Sequence, residues 1–202
     1  MGALVIYWVI FYTLHSLLAA GAVKRQVQQK FHLLREPRYR LCYNAIAVVT
    51  FLLLLWLHIQ TPSRNLWQPG VAGQAAGAIL LMGGVVVLLA AFRNYRLQPF
   101  LGLEVDANQQ LQTTGLNRYM RHPIYTAVLT AFAGLCLLQP LSTHVVAFFI
   151  TVVYVWIGSS LEERKLLLQY GTAYADYRRR VKRFIPFIWM LLLILHMNQY
   201  PL

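Results

Sequence analysis

The chain has 202 residues, of which 58% are hydrophobic and 12% are charged, and this balance excludes a soluble globular domain and a disordered chain. Its 18 Lys and Arg residues outnumber its six Asp and Glu residues and give a net charge of +12, which in a soluble protein would suggest nucleic-acid binding. The basic residues lie between long apolar segments, however, so we interpret the charge as a membrane-topology signal and expect no nucleic-acid partner.

Five apolar segments are long enough, or nearly so, to cross a bilayer as helices. In chain order they cover residues 3–22, 41–59, 71–92, 124–139 and 141–158. The last two meet at Gln139-Pro140, which predicts a tight helical hairpin. A sixth apolar segment, 184–197, is short for a span and is typical of a re-entrant or interfacial segment. The sequence therefore predicts an all-α integral membrane protein, a bundle of five transmembrane helices, with one domain over residues 1–202.

The basic residues alternate between the polar segments. The number of Lys and Arg residues in successive polar segments is six in 24–40, one (Arg64) in the next segment and four in 93–121. It is none in the turn at 139–140 and seven in 164–183. By the positive-inside rule, the N-terminus is expected outside and 17 of the 18 basic residues in the cytoplasm of a bacterial or archaeal cell. Two of the predicted cytoplasmic segments, 93–123 and 161–186, also contain five of the six acidic residues, so we expect the active site on the cytoplasmic side.

Several kinds of site are excluded by what the chain lacks. The two cysteines, Cys42 and Cys136, both lie in predicted spans, so they form neither a disulfide framework nor a zinc site, and we expect no metal. No P-loop, HExxH or GxSxG motif is present. His15 lies inside the first span, where it is either a neutral imidazole bonded to the backbone or a functional group.

The first candidate group is at the start of the fourth predicted helix. Arg121, His122, Pro123 and Tyr125 follow one another there, and proline suits the first turn of a helix. A helix start offers free N–H groups and a positive dipole end, and Arg121 adds a forked donor, so the group would bind a carboxylate or phosphate. The alternative is that Arg121 and His122 are only interfacial anchors.

The second candidate group follows the fifth predicted span. On one continuous helix at about 100° per residue, Glu163, Tyr170, Tyr174 and Tyr177 fall on a single stripe, with Glu162 beside it. A carboxylate with aromatic faces suits a ligand that carries an ammonium group and a second, delocalised cation. The alternative is an amphipathic helix on the membrane surface with a belt of tyrosines.

Taken together, the two groups resemble a known superfamily. The segment 115–125 with Arg-His-Pro-Ile-Tyr, followed by Glu162-Glu163 and the spaced tyrosines, resembles the isoprenylcysteine carboxyl methyltransferase and phospholipid methyltransferase superfamily. These motifs together cover about the C-terminal 70 residues of the chain. The N-terminal Leu14-His15-Ser16 and the basic loop after it resemble the NnrU and methanethiol methyltransferase branch.

The resemblance implies an S-adenosylmethionine-dependent membrane methyltransferase. It implies that His122 and Tyr125 line the cofactor pocket, that Glu162 or Glu163 binds the cofactor ammonium, and that Tyr174 and Tyr177 wall the pocket. We assign catalytic roles to Arg121 and Glu163. Two residues depart from the pattern of the superfamily, since Asn117 stands where many members have an aromatic residue and Ala127 where glycine is common.

The expected acceptor is a lipophilic small molecule or a lipid: a thiol, a carboxylate or a phospholipid amine. One alternative is an NADPH-dependent membrane reductase of the sterol-reductase kind, whose members usually read Arg-His-Pro-Asn-Tyr, so Ile124 and Tyr174 argue against it. The other alternative is a non-enzymatic NnrU-like membrane protein. Polar residues in the middle of several spans would favour this alternative, but the chain has few of them. The oligomeric state is left open.

Overall fold

A computed structural model describes residues 1–31, 38–93 and 110–184. Regular structure in these ranges is helical: α1 Gly2–Ala19, α2 Gly21–Lys30, α3 Arg38–Gln60, α4 Val71–Arg93, a 3-10 helix Gly115–Arg118, α5 Pro123–Leu138, α6 Ser142–Tyr170 and α7 Thr172–Arg180. The described residues fall into two compact units, one up to residue 63 and one from residue 64 onward. The predicted apolar segment 184–197 lies, apart from its first residue, outside the described ranges. The single domain over residues 1–202 stays a prediction.

Four of these helices, α1, α3, α4 and α6, are long and apolar enough to cross a membrane. Large apolar side chains on them are exposed, such as Ile59 at 78% and Leu89 at 62%, as is expected where lipid rather than water is the solvent. The all-helical membrane class is therefore confirmed for the described residues. The fifth predicted span corresponds to α5, which has only 16 residues, or about 24 Å against the roughly 30 Å of a bilayer core.

In the first unit, α1 and α3 pack against each other. The Tyr39 hydroxyl donates to the Leu18 carbonyl at 2.7 Å, and Trp8 Nε1 donates to His58 Nδ1 at 3.4 Å. The predicted first span, 3–22, is too long at its end, because Ala20 is extended (φ −70°, ψ 128°) and separates α1 from α2. The break lies directly before Gly21, the first residue of α2, and glycine is a poor helix former.

In the second unit, α4 and α5 approach each other through glycines. A Cβ atom on Gly84 would lie 2.5 Å from the Ala131 nitrogen, and one on Gly134 would lie 2.4 Å from the Leu81 nitrogen. Gly77, which the sequence places in a small-residue segment, would meet Leu138 Cγ at 2.9 Å. These contacts show that the small residues bring two helices of this chain together, as such residues do in membranes.

We expect Gly84→Ala to lower the stability of the protein by about 1–3 kcal/mol, because the added methyl group would overlap backbone atoms of α5 that cannot move aside cheaply. Gly73→Ala is the matched control on the same helix, since its Cβ would meet only Pro69 Cβ, at 3.6 Å. Thermal unfolding of both variants in detergent measures the difference. Equal unfolding midpoints would contradict this account of the packing.

The predicted hairpin is present between α5 and α6, which are joined by residues 139–141 and pack against each other. The segment before α4 is bonded to the turn, since Leu66 N donates to the Pro140 carbonyl at 2.9 Å and Ser142 N to the Arg64 carbonyl at 3.0 Å. At its other end, α5 begins directly after Arg121 and His122. The hairpin therefore places the end of α6 near these two residues.

Candidate functional site

The backbone around Arg121 and His122 is held on both sides. Before them, Gly115 has φ 59°, a conformation that favours glycine, and begins the 3-10 helix. On the other side, Arg121 N donates to the Lys182 carbonyl at 2.9 Å and His122 N donates to the Arg183 carbonyl at 3.2 Å. The segment after α7 is thus bonded to the start of α5.

Glu163 is the centre of the site. It lies near the end of α6 and is 2% exposed. Arg121 donates to Glu163 Oε1 from Nε at 2.9 Å and from Nη2 at 2.7 Å. Arg183 donates from Nε to Oε1 at 3.2 Å and from Nη2 to Oε2 at 3.0 Å. Two guanidinium groups therefore bind the carboxylate, which is the strong form of charge-assisted hydrogen bonding.

Two further groups approach the same carboxylate. His122 Nε2 lies 3.2 Å from Glu163 Oε1, and Arg178 Nε lies 3.7 Å from Oε2. Both oxygens of Glu163 thus have basic partners. The three arginines carry more positive charge than one carboxylate neutralises, so this cluster of Arg121, Glu163, Arg178 and Arg183 is positive on balance.

Glu162 is in a different position from its neighbour. Its side chain is 48% exposed, and its Oε2 lies 3.6 Å from His122 Nδ1. The His122 ring stacks on the Tyr125 ring with 5.6 Å between the ring centroids. The Phe184 ring is tilted against the His122 ring, with 5.9 Å between their centroids. His122 thus lies between the two glutamates, and Glu162 presents a carboxylate outside the arginine cluster.

The prediction that Glu163 and Tyr177 lie on one stripe of a single helix is wrong, because the helix is interrupted between them. Gly171 has φ 54° and ψ −125° and ends α6 at Tyr170, and α7 begins at Thr172. The new helix direction buries Tyr174 and Tyr177, at 1% and 5% exposed, beneath the site. The alternative of a surface helix with an exposed tyrosine belt does not fit these two buried residues.

One of the two buried tyrosines, Tyr177, connects α7 to the 3-10 helix. The Tyr177 hydroxyl donates to the Asn117 carbonyl at 2.6 Å, and Asn117 Nδ2 donates to the Arg121 carbonyl at 3.3 Å. Asn117 Oδ1 and the Tyr174 hydroxyl are buried without a hydrogen-bond partner in the described part of the chain. Burial, followed by the nearby Glu163 carboxylate, raises the pKa of Tyr174 to about 12, so its hydroxyl keeps its proton.

The structure brings together every residue that the sequence proposes for the site: Arg121, His122, Tyr125, Glu162, Glu163, Tyr174 and Tyr177. It also adds two residues that the sequence did not single out. Arg178 and Arg183 reach Glu163, and Arg183 also donates to Ser160 Oγ at 3.0 Å and stacks over Trp156 at 5.3 Å. The excess of arginine after Tyr177 was the only signal in the sequence for these contacts.

Comparison with known proteins identifies the family. Residues 72–173 match the family described as phospholipid methyltransferase, and the match runs from α4 into α7 and includes Arg121 and Glu163. The chain belongs to the phospholipid methyltransferase family. This confirms the resemblance found in the sequence, and with the four apolar helices it makes the chain an integral membrane protein.

Curated proteins similar to this chain are named methanethiol S-methyltransferases. It is 28% identical to Methanethiol S-methyltransferase 1 of Bradyrhizobium diazoefficiens over 88% of this chain and 64% of that protein. It is 27% identical to Methanethiol S-methyltransferase of Crocosphaera subtropica (89% and 72%) and 29% identical to that of Mycobacterium tuberculosis (88% and 74%). The chain thus spans 64% of the first of these relatives. No solved structure matches it.

The site of this methyltransferase-family protein is expected to lose stability in acid. Burial lowers the pKa of His122 below 6.5, and the hydrogen bond to Glu163 opposes this only in part. The unfolded chain therefore binds a proton first as the pH falls, so the contribution of His122 to stability is complete above about pH 6.5 and decreases below it. Thermal unfolding of the protein and of His122→Gln between pH 5 and 8 should show a smaller pH dependence in the variant. Identical profiles would contradict the assignment.

Proposed function

We propose that this protein is an S-adenosylmethionine-dependent methyltransferase that acts on a lipophilic or membrane-dissolved acceptor. The observation that carries the proposal is that the family match covers the segment in which Arg121, His122 and Glu163 meet. The names of the curated relatives agree with it.

The residues present fit such a methyl donor. Glu162 is half-exposed and lies outside the arginine cluster, so it can accept hydrogen bonds from an ammonium group, whereas Glu163 is already surrounded by bases. Asn117 Oδ1 and the Tyr174 hydroxyl are buried polar atoms without a described partner, which a bound ligand could satisfy. S-adenosylmethionine, when bound, supplies the methyl group that is transferred.

We propose separate roles for the two glutamates. Glu162 binds the donor's ammonium group, and His122 and Tyr125 wall the pocket beside it. Glu163 and Arg121, which the sequence assigns as catalytic, instead act as positioning residues, because their charged atoms are used on each other and hold the segment 120–122 against 181–183. Tyr174 and Tyr177 support the site from α7, and Tyr177 does so through the hydrogen bond from its hydroxyl to the Asn117 carbonyl.

For the acceptor we propose a small apolar thiol first, then a lipid-linked carboxylate, then a phospholipid amine. The nucleophile of a thiol is its thiolate, and nearby positive charge lowers a thiol's pKa. The cluster of Arg121, Glu163, Arg178 and Arg183 is positive on balance and so would favour a thiolate bound near it. The first curated relatives are named for methanethiol, which is such a thiol.

We propose that α5 completes five spans, with the N-terminus and the 139–141 turn outside and the site in the cytoplasm, since 17 of the 18 basic residues then lie inside. Single cysteines placed in a background without Cys42 and Cys136 should react with an impermeant thiol reagent from outside at residue 64. They should not react from outside at residue 118. Labelling of residue 64 only from the cytoplasm would contradict this topology.

Calorimetric titration of the detergent-solubilised protein with S-adenosylhomocysteine and with NADPH tests the cofactor directly. Binding of S-adenosylhomocysteine alone is expected. Binding of NADPH alone would favour a membrane reductase, and binding of neither would favour a non-enzymatic NnrU-like protein.

A further inference from the structure

A cavity of about 400 Å³ lies in the second unit, between the segment that precedes α4 and the turn that joins α5 to α6. Its volume is within the usual range of small-molecule sites. The helix α5 begins directly after Arg121 and His122 and ends at this turn, 16 residues or about 24 Å later. The cavity therefore lies at the opposite end of α5 from the methyl-transfer site, and none of its described lining residues belongs to that site.

The polar lining of the cavity is neutral. Its described residues include no acidic or basic side chain, and its polar groups are the indole of Trp67 and the amides of Asn65, Gln68, Gln74 and Gln139. The Gln74 amide donates from Nε2 to the Pro69 carbonyl at 3.3 Å. The other three amides make no side-chain hydrogen bond to another described residue, so a ligand in the cavity could bind them.

The walls are held in place by hydrogen bonds between the segment and the turn. Besides the two backbone bonds from Leu66 and Ser142 described above, Arg64 N donates to Ser142 Oγ at 3.3 Å. Pro69 and Pro140 restrict the backbone in the two walls. The cavity is thus largely preformed, and a ligand that binds there has little ordering to cause.

A neutral sugar fits this lining best. Each sugar hydroxyl both donates and accepts hydrogen bonds, and so does each side-chain amide. The C–H groups on one face of a sugar ring pack favourably on an indole, whose face is negative, and Trp67 is 44% exposed. A phosphate or an ammonium group would lose water there without finding a counter-charge in the described lining.

The surroundings of the cavity indicate that the sugar belongs to a lipid. Leu138 and Leu141 form part of the lining. Val71, the first residue of the long apolar helix α4, is 86% exposed, and Ile79 two turns further on is 51% exposed. Tryptophan is enriched at the interface between lipid and water, which is where the headgroup of a glycolipid lies.

We infer that this cavity binds the neutral sugar headgroup of a glycolipid, with Trp67 against the sugar ring, Gln68 and Gln139 on its hydroxyls and the lipid chains along the exposed apolar face of α4. The site is separate from methyl transfer, so the inference does not depend on the proposed function. The bound lipid would bridge α4 and the hairpin of α5 and α6.

Native mass spectrometry of the full chain tests this, with monoglucosyl diacylglycerol as the probe in a polyoxyethylene detergent, which has no sugar to compete. The wild-type protein should retain the glucosyl lipid in preference to phosphatidylglycerol and phosphatidylcholine. Trp67→Ala with Gln68→Ala should lower the affinity about 5- to 150-fold, since an aromatic contact and a neutral hydrogen bond each contribute a factor of about 2 to 12. Both positions are exposed, and each single variant should show part of the loss.

The matched control is Trp56→Ala with Gln60→Ala, which removes the same two kinds of side chain from exposed positions of α3 outside the described lining. It should retain the glucosyl lipid as the wild type does. Equal loss in both double variants, or no preference of the wild type for the glucosyl lipid, would overturn the inference. Methyl glucoside, which has no lipid chains, should bind much more weakly, and equally tight binding of it would overturn the inference in favour of a soluble sugar.

Discussion

Replacing Glu163 with alanine is expected to destabilise the protein by about 3–5 kcal/mol, the usual cost of removing one partner from a buried ion pair. The carboxylate is 2% exposed, and the Arg121 and Arg183 side chains that bind it are only 8% and 22% exposed. Without it, these guanidinium groups would remain beside each other with no counter-charge. The change in the free energy of unfolding in mixed micelles measures this effect.

The control for Glu163→Ala is Asp176→Ala on α7. Asp176 also pairs with an arginine, Arg179, but the two side chains are 52% and 79% exposed. Exposed pairs contribute at most about 1 kcal/mol, so this variant should resemble the wild type. Equal stability of the two variants would contradict the central position of Glu163.

Replacing Glu162 with glutamine is expected to lower the affinity for S-adenosylhomocysteine by about 10- to 150-fold, which corresponds to roughly 1.5–3 kcal/mol for a hydrogen bond between charged groups. The side chain is 48% exposed and lies outside the arginine cluster, so the unfolding free energy should change little. Calorimetric titration of the variant gives the affinity, and its unfolding curve gives the stability.

The two glutamates are therefore expected to separate binding from stability. Asp176→Asn is the matched control for Glu162→Gln, because it removes the same charge from an exposed carboxylate on the next helix. Full affinity in Glu162→Gln would place the ammonium-binding group elsewhere. Greater loss of affinity in a folded Glu163→Gln protein would return that role to Glu163.

Much of this architecture follows from local sequence. The apolar runs predict α1, α3, α4 and α6, and Pro140 predicts the hairpin, because helix length and breakers are encoded within a few residues. The resemblance also predicts that His122 and Glu163, 41 residues apart in the sequence, lie in one site. In the structure His122 Nε2 is 3.2 Å from Glu163 Oε1. Local reasoning failed at Gly171, where an assumed continuous helix changes direction.

The contacts of Arg178 and Arg183 could not be predicted for the same reason. They depend on the turn at Gly171 and on the pairing of Met120 with Lys182, which joins segments 62 residues apart. No periodicity within one helix reports such a contact. The break at Ala20 is a milder case, because a single extended residue decides where α1 ends.

The most direct test of the central claim is a methyl-transfer assay with the purified protein in nanodiscs and labelled S-adenosylmethionine. Methanethiol, an isoprenylcysteine carboxylate and total lipid extract are supplied separately, with Glu162→Gln as the matched variant. We expect labelled dimethyl sulfide from methanethiol, and a loss with Glu162→Gln that higher cofactor concentration restores. Label in none of the three acceptors, from a protein that binds S-adenosylhomocysteine, would contradict a lipophilic acceptor. Transfer unaffected by Glu162→Gln at limiting cofactor would contradict the proposed site.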